Sequence, residues 1–166
     1  LAGAWREIDP VSFRRLVLLL PIVFVAHVLE EAPGFVPWFN SVVSRGITQP
    51  LFLSVNVAAF LMTLFITLLA VVSPAPGTGV VLAAWVGFLV LANGLFHLVA
   101  TVVLARYCPG VVTGTLLYLP LGFVLLRAVV RELHVSGSVV ATAAGLGAVP
   151  MLLHGFLIVF RGSRLF

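Results

Sequence analysis

The sequence predicts an all-α polytopic membrane protein, a single bundle of five transmembrane helices. Three observations point there. Of 166 residues, 62% are hydrophobic and only 8% are charged. The mean hydropathy is +1.26. The apolar runs are long and uniform, and short Pro- and Gly-rich turns separate them. Five acidic and nine basic residues cannot cover a soluble domain of this length. The runs also exceed the roughly ten-residue alternating strands of an outer-membrane barrel.

The first span is expected over 12–32. Asp9-Pro10 reads as its start, since Asp caps free N–H groups and Pro suits the first helical position. A helix from Pro10 to Ala32 extends roughly 34 Å at about 1.5 Å per residue, enough to cross a bilayer. Arg14 and Arg15 mark one interface, Pro21 is a kink candidate, and Pro33-Gly34 ends the helix. Residues 35–46 read as a loop, with Trp38 as an interface aromatic. The second span covers 50–72, and Ser73 to Gly77 forms a turn. The third covers 80–105, and Tyr107-Cys108-Pro109-Gly110 turns the chain again. The fourth covers 111–130, and the fifth 138–160. Together they make one domain over 1–166, integral to the membrane and multi-pass.

Charge excludes one large function class. All nine cations are Arg, dispersed over the ends of the apolar runs: Arg6, Arg14, Arg15, Arg127 and Arg131 toward one side, Arg45, Arg106, Arg161 and Arg164 toward the other. They read as interfacial anchors and not as a nucleic-acid surface. The single cysteine, Cys108, excludes an intrachain disulfide and reads as a small turn residue.

Depth locates the candidate site. Consecutive spans alternate direction. His27, Glu30 and Glu31 lie near the far end of the first span, Asn56 near the start of the second, Asn93 and His97 near the end of the third, Thr113 near the start of the fourth, and His154 near the end of the fifth. All therefore share one layer below one surface. An ionisable residue inside a span is costly and marks function by default. Glu30 and Glu31 follow His27 by three and four positions, and Asn93 precedes His97 by four, so each set shares a helix face. The alternative for the first helix is an interfacial end whose carboxylates reach water.

His27-x-x-Glu30-Glu31, Asn93-x-x-x-His97 and Tyr107-x-Pro109-Gly110-x-x-Thr113, in that order, resemble the signature motifs of the HXXEE-domain membrane proteins. The likeness covers about residues 16–160. That family is of uncharacterised function, so the resemblance implies a site and no particular activity.

Three functions fit these residues. In the first, His27, His97, His154 and Glu30 or Glu31 hold a transition metal, zinc or iron, and the spare carboxylate serves as catalytic base. Asn56, Asn93, Tyr107 and Thr113 then bind substrate or orient the ligands. In the second, the site is metal-free, and a desolvated carboxyl passes protons to and from a lipid or terpenoid, as an isomerase or cyclase does. In the third, the protein binds lipid or metal without catalysis. The expected partners are the bilayer and a lipophilic small molecule, with no nucleic acid. Polar residues on one side only, with no inverted repeat, argue against a transporter.

Overall fold

The computed structural model describes residues 10–165, with side chains from Phe13 onward. The expected Asp9 cap and the Arg6 anchor lie outside the described residues. Six helices follow in order: α1 Pro10–Glu31, α2 Phe35–Val42, α3 Gln49–Val72, α4 Pro76–Val103, α5 Val111–Glu132 and α6 Gly137–Arg161. The protein is all-helical, as expected, and forms one bundle.

Helices α3 to α6 are long and apolar enough to cross a membrane. The fifth expected span takes a different form. Arg14, Arg15, Glu30 and Glu31 leave α1 a short apolar stretch, and α1 qualifies only together with α2, from which it bends by 65°. Residues 35–42, expected as loop, are thus helical. Pro33 and Gly34 break the chain at the bend, and Trp38, expected as an interface aromatic, is buried, as is Phe39. Pro37 sits in the first turn of α2, where its missing N–H costs nothing.

Local chemistry explains the other boundaries. Thr48 caps α3 by accepting from the Leu51 N–H, with Pro50 in the first turn. Helix α4 starts four residues before the expected 80, because Pro76 takes the first position and Thr78 Oγ1 closes on the Ser73 carbonyl at 2.9 Å. Ser136 caps α6 through the Val139 N–H. Two π-helical stretches interrupt the regular spacing, Val86–Ala92 within α4 and Gly114–Tyr118 within α5. Such segments recur at functional sites because they rotate the side chains that follow.

Helix α4 is the hub. It packs on α3, α5 and α6, while α1 packs on α3 and α5. The α4–α6 crossing is close: a Cβ on Gly87 or Gly147 would stand 2.0 Å from the backbone oxygen of Ala144 or Ala84. Small residues of this kind let apolar helices touch by backbone. Trp85 Nε1 donates to Thr63 Oγ1 at 3.1 Å and ties α4 to α3. The core follows one stripe of α1: Phe13, Val17, Leu20 and Phe24 are all buried. The outward faces carry exposed Ile22, Leu61, Phe65 and Leu146, the apolar surface expected where lipid replaces water.

A buried histidine and glutamate centre

The α1 stripe does not stop at Phe24. Its next two members are His27 and Glu31, both buried. Helix α4 brings His97 to the same point, directly after the π-helical stretch. His27 Nε2 lies 3.7 Å and His97 Nε2 3.1 Å from Glu31 Oε1. The imidazoles meet edge to face, with ring centroids 4.9 Å apart. One ligand atom from each of the three residues falls within a 4.8 Å group, which could hold a metal ion.

Each imidazole is held by its other nitrogen. His27 Nδ1 lies 2.8 Å from Thr113 Oγ1 and His97 Nδ1 3.3 Å from Cys108 Sγ. The Thr113 hydroxyl donates to Glu30 Oε2 at 2.5 Å. Its one proton is therefore spent, and it must accept from His27 Nδ1–H. This leaves His27 Nε2 with a lone pair. The Cys108 sulfur also lies 3.8 Å from the Pro109 carbonyl, and a thiol turned to that carbonyl leaves its sulfur to accept from His97 Nδ1–H. Both Nε2 atoms are buried and lack a hydrogen-bond partner among the described residues.

Glu30 sits on a different face and does a different task. Its Oε1 accepts from the Tyr107 hydroxyl at 2.7 Å, the Gly110 N–H at 3.1 Å and the Val112 N–H at 3.0 Å. Its Oε2 accepts from the Thr113 N–H at 2.7 Å as well as from the Thr113 hydroxyl. The carboxylate thus caps the N-terminus of α5 from another helix. It meets free N–H groups where the helix dipole favours an anion. Between α4 and α5, the hydrogen bond to Glu30 pushes the Tyr107 hydroxyl up to about 12, because ionising it would forfeit the donated bond. Burial pushes the Cys108 thiol up as well.

Gly110 permits the closure. Its φ is +101°, a left-handed conformation, and a Cβ there would lie 2.6 Å from His97 Cε1 and 2.8 Å from His27 Cε1. One step further, Gly94 and Gly114 face each other, so α4 and α5 cross closely beside His27.

The remaining expected residues line a neighbouring cleft of about 220 Å³. Glu31 forms part of its wall, with Asn56, Asn93 and His154 on others. Asn56 bonds back to its own helix through the Phe52 carbonyl at 3.0 Å. Asn93 reaches toward His27, and its Oδ1 is buried without a partner among the described residues. Two expectations need correcting. Glu30 is engaged by five donors and stands outside the three-residue group, and so does His154, whose Nδ1 accepts from the Leu165 N–H at 3.2 Å. Equal depth in the bundle does not set the rotation of a helix, and α6 turns His154 toward the cleft. Two contacts were not anticipated. Cys108 holds His97, and Tyr118 packs on His27 with centroids 4.3 Å apart and its hydroxyl buried without a partner among the described residues. The spacing of Tyr118, five residues beyond Thr113 across a π-helical turn, hid the second.

A buried two-imidazole, one-carboxylate centre inside an apolar helix bundle is the class of site that these contacts define. Residues 18–125 match the sequence profile of a family described as proteins of unknown function with an HXXEE motif, and the chain belongs to that family. The match contains all three residues of the centre and the Glu30 cap, and ends before α6 and His154. No curated protein and no solved structure matches the chain.

Proposed function

We propose that the protein is an integral membrane enzyme in which His27, Glu31 and His97 hold one transition-metal ion, zinc or iron, beside a cleft that admits a lipophilic small molecule. The observation that carries this reading is the convergence of three acceptors. Both imidazoles present lone pairs to Glu31, and each is oriented by a bond at its far nitrogen, as metal-ligating histidines are. A single proton on Glu31 answers His97 at 3.1 Å and leaves His27 facing an oxygen at 3.7 Å with nothing between them. A divalent cation answers all three. Two imidazoles and one carboxylate suit catalytic zinc, or iron with open positions.

When bound, such an ion polarises a substrate oxygen or activates water. The chain's own groups do the rest. Asn93 Oδ1 and the Tyr118 hydroxyl are buried polar atoms beside His27, available to orient a water or a substrate oxygen. The cleft supplies access: α3 and α6 pack on α4 and scarcely on each other, and Leu51 and Val55 on the α3 wall are 43% and 55% exposed. A lipophilic molecule can enter sideways from the bilayer through that gap. Glu30 belongs in this reading to the scaffold, and Glu31 to the chemistry.

Metal analysis of protein purified in detergent tests the proposal. Wild type and His154→Ala should carry about one zinc or iron per chain, and His27→Ala and His97→Ala should lose it. Metal-free wild type, or content unchanged in both histidine variants, would sink the metal reading. The 3.1 Å contact between Glu31 and His97 would then favour proton transfer between this pair as the chemistry of the cleft.

A further inference from the structure

The cleft beside the centre is not uniformly apolar. Its walls carry Phe35, Phe52, Phe88 and Met151, but Arg164 also lines it. That arginine reaches the cleft because the chain after α6 is folded back over it. Gly162 takes a left-handed conformation, with φ +57°, and the Ser163 N–H closes on the Leu157 carbonyl at 3.1 Å. The Ser44 N–H then grips the Gly162 carbonyl at 2.8 Å, and the Leu165 N–H grips His154 Nδ1 at 3.2 Å. Two bonds to separate elements fix the segment that bears Arg164.

Arg164 is half-buried, and no carboxylate lies within ion-pair distance of it among the described residues. The described acids are committed elsewhere: Glu30 to the cap on α5, Glu31 to the two imidazoles, and Glu132 to the opposite end of α5. Arg164 instead lies close enough to His154, also on the cleft, to act on it electrostatically. A cation placed at an apolar cavity, with no counter-ion among the described residues, calls for an anion from outside.

We propose that the cleft binds a lipophilic anion, its carboxylate or phosphate head paired with Arg164 and its apolar body laid between α3 and α6 toward Glu31. This names the substrate class for the function proposed above and rests on that reading for its chemistry, though binding itself does not. The charge balance agrees: a divalent ion on two neutral imidazoles and one carboxylate leaves one positive charge at the inner end of the cleft.

Titration of decanoate, decyl phosphate and decanol into the full-length protein in detergent, with metal content measured on the same samples, tests it. A charge-assisted pair corresponds to roughly tenfold to a hundredfold in affinity. Arg164→Gln should lose that much affinity for decanoate and decyl phosphate and none for decanol, and Arg164→Lys should retain most of it. Equal binding of decanol and decanoate by wild type, or decanoate binding indifferent to Arg164→Gln, overturns the proposal. Binding that depends on Arg164 in protein devoid of metal upholds it and removes the metal reading. Stoichiometric metal with no dependence on Arg164 does the reverse.

Discussion

Replacing Glu30 by Gln separates the two carboxylates of the motif. Glutamine keeps one acceptor oxygen, which can serve the Tyr107, Gly110 and Val112 donors now on Oε1. Its amide then faces the Thr113 N–H, donor against donor. One orphaned backbone donor costs about 1–3 kcal/mol. Losing an anion from a half-exposed helix N-terminus adds about 0.3–1 kcal/mol. The expected loss of stability is thus about 1.3–4 kcal/mol. A second effect follows at the centre. The Thr113 hydroxyl, no longer donating to Glu30, turns its proton to His27 Nδ1. The imidazole then carries its own proton on Nε2 and loses the lone pair aimed at Glu31. Disturbing such an outer partner costs roughly 10–100-fold in metal affinity. Glu31→Gln should behave in the opposite way. It removes a ligand, so metal is lost, yet its amide can donate to His97 Nε2, and the stripped protein should be as stable as wild type or more so. Thermal unfolding of chelator-stripped protein in detergent, with zinc competition in parallel, reads both quantities. Wild-type stability and zinc affinity in Glu30→Gln, or a larger loss of metal-free stability in Glu31→Gln than in Glu30→Gln, would refute the division of labour.

Other outcomes follow from the same contacts. Gly110→Ala should lower both thermal stability and metal content, since the left-handed backbone alone costs about 1–2 kcal/mol and the new methyl would strike both imidazoles; Gly137→Ala, with nothing within 4 Å, is the control and should change neither. The hydrogen bond from Tyr107 to Glu30 should show in alkali. The hydroxyl is pushed from 10.0 up to about 12, so its contribution is complete below pH 10 and is lost as the pH rises through about 12. Tyr107→Phe should abolish that part of the pH dependence in unfolding scans between these values.

Much of the arrangement was legible in the residues, and the parts that were not have physical reasons. Hydropathy locates the four helices long and apolar enough to cross a membrane, and the expectation that alternating spans share a layer pointed to His27, Glu31 and His97 together. Depth says nothing of azimuth. His154 was expected in the same layer, and it lines the cleft beside the centre without joining the three-residue group. For α1 the azimuth was available: Phe13, Val17, Leu20, Phe24, His27 and Glu31 recur at steps of four and three, which puts Glu31 on the core face and Glu30 off it. Helix α2 was hidden because it is only eight residues long and sits among Pro33, Gly34 and Pro37. The π-helical stretches carry no comparable spacing signal. They shift Tyr118 to His27 in a way that a 3.6-residue period does not foresee.

The cap that Glu30 places on α5 also orders events in time. The carboxylate belongs to α1, but its five donors lie between Tyr107 and Thr113, some eighty residues later in the chain. During synthesis α1, α3 and α4 emerge first. Until the start of α5 arrives, Glu30 has no donor to meet and His27 has no hydroxyl to fix its proton. The three residues of the centre, on α1 and α4, are therefore made before the hydroxyl that orients His27. The centre is completed in one late event, when the start of α5 docks against the end of α1, and a chain halted before that event carries Glu30 as an uncapped carboxylate, a mark by which an unfinished molecule differs from a finished one.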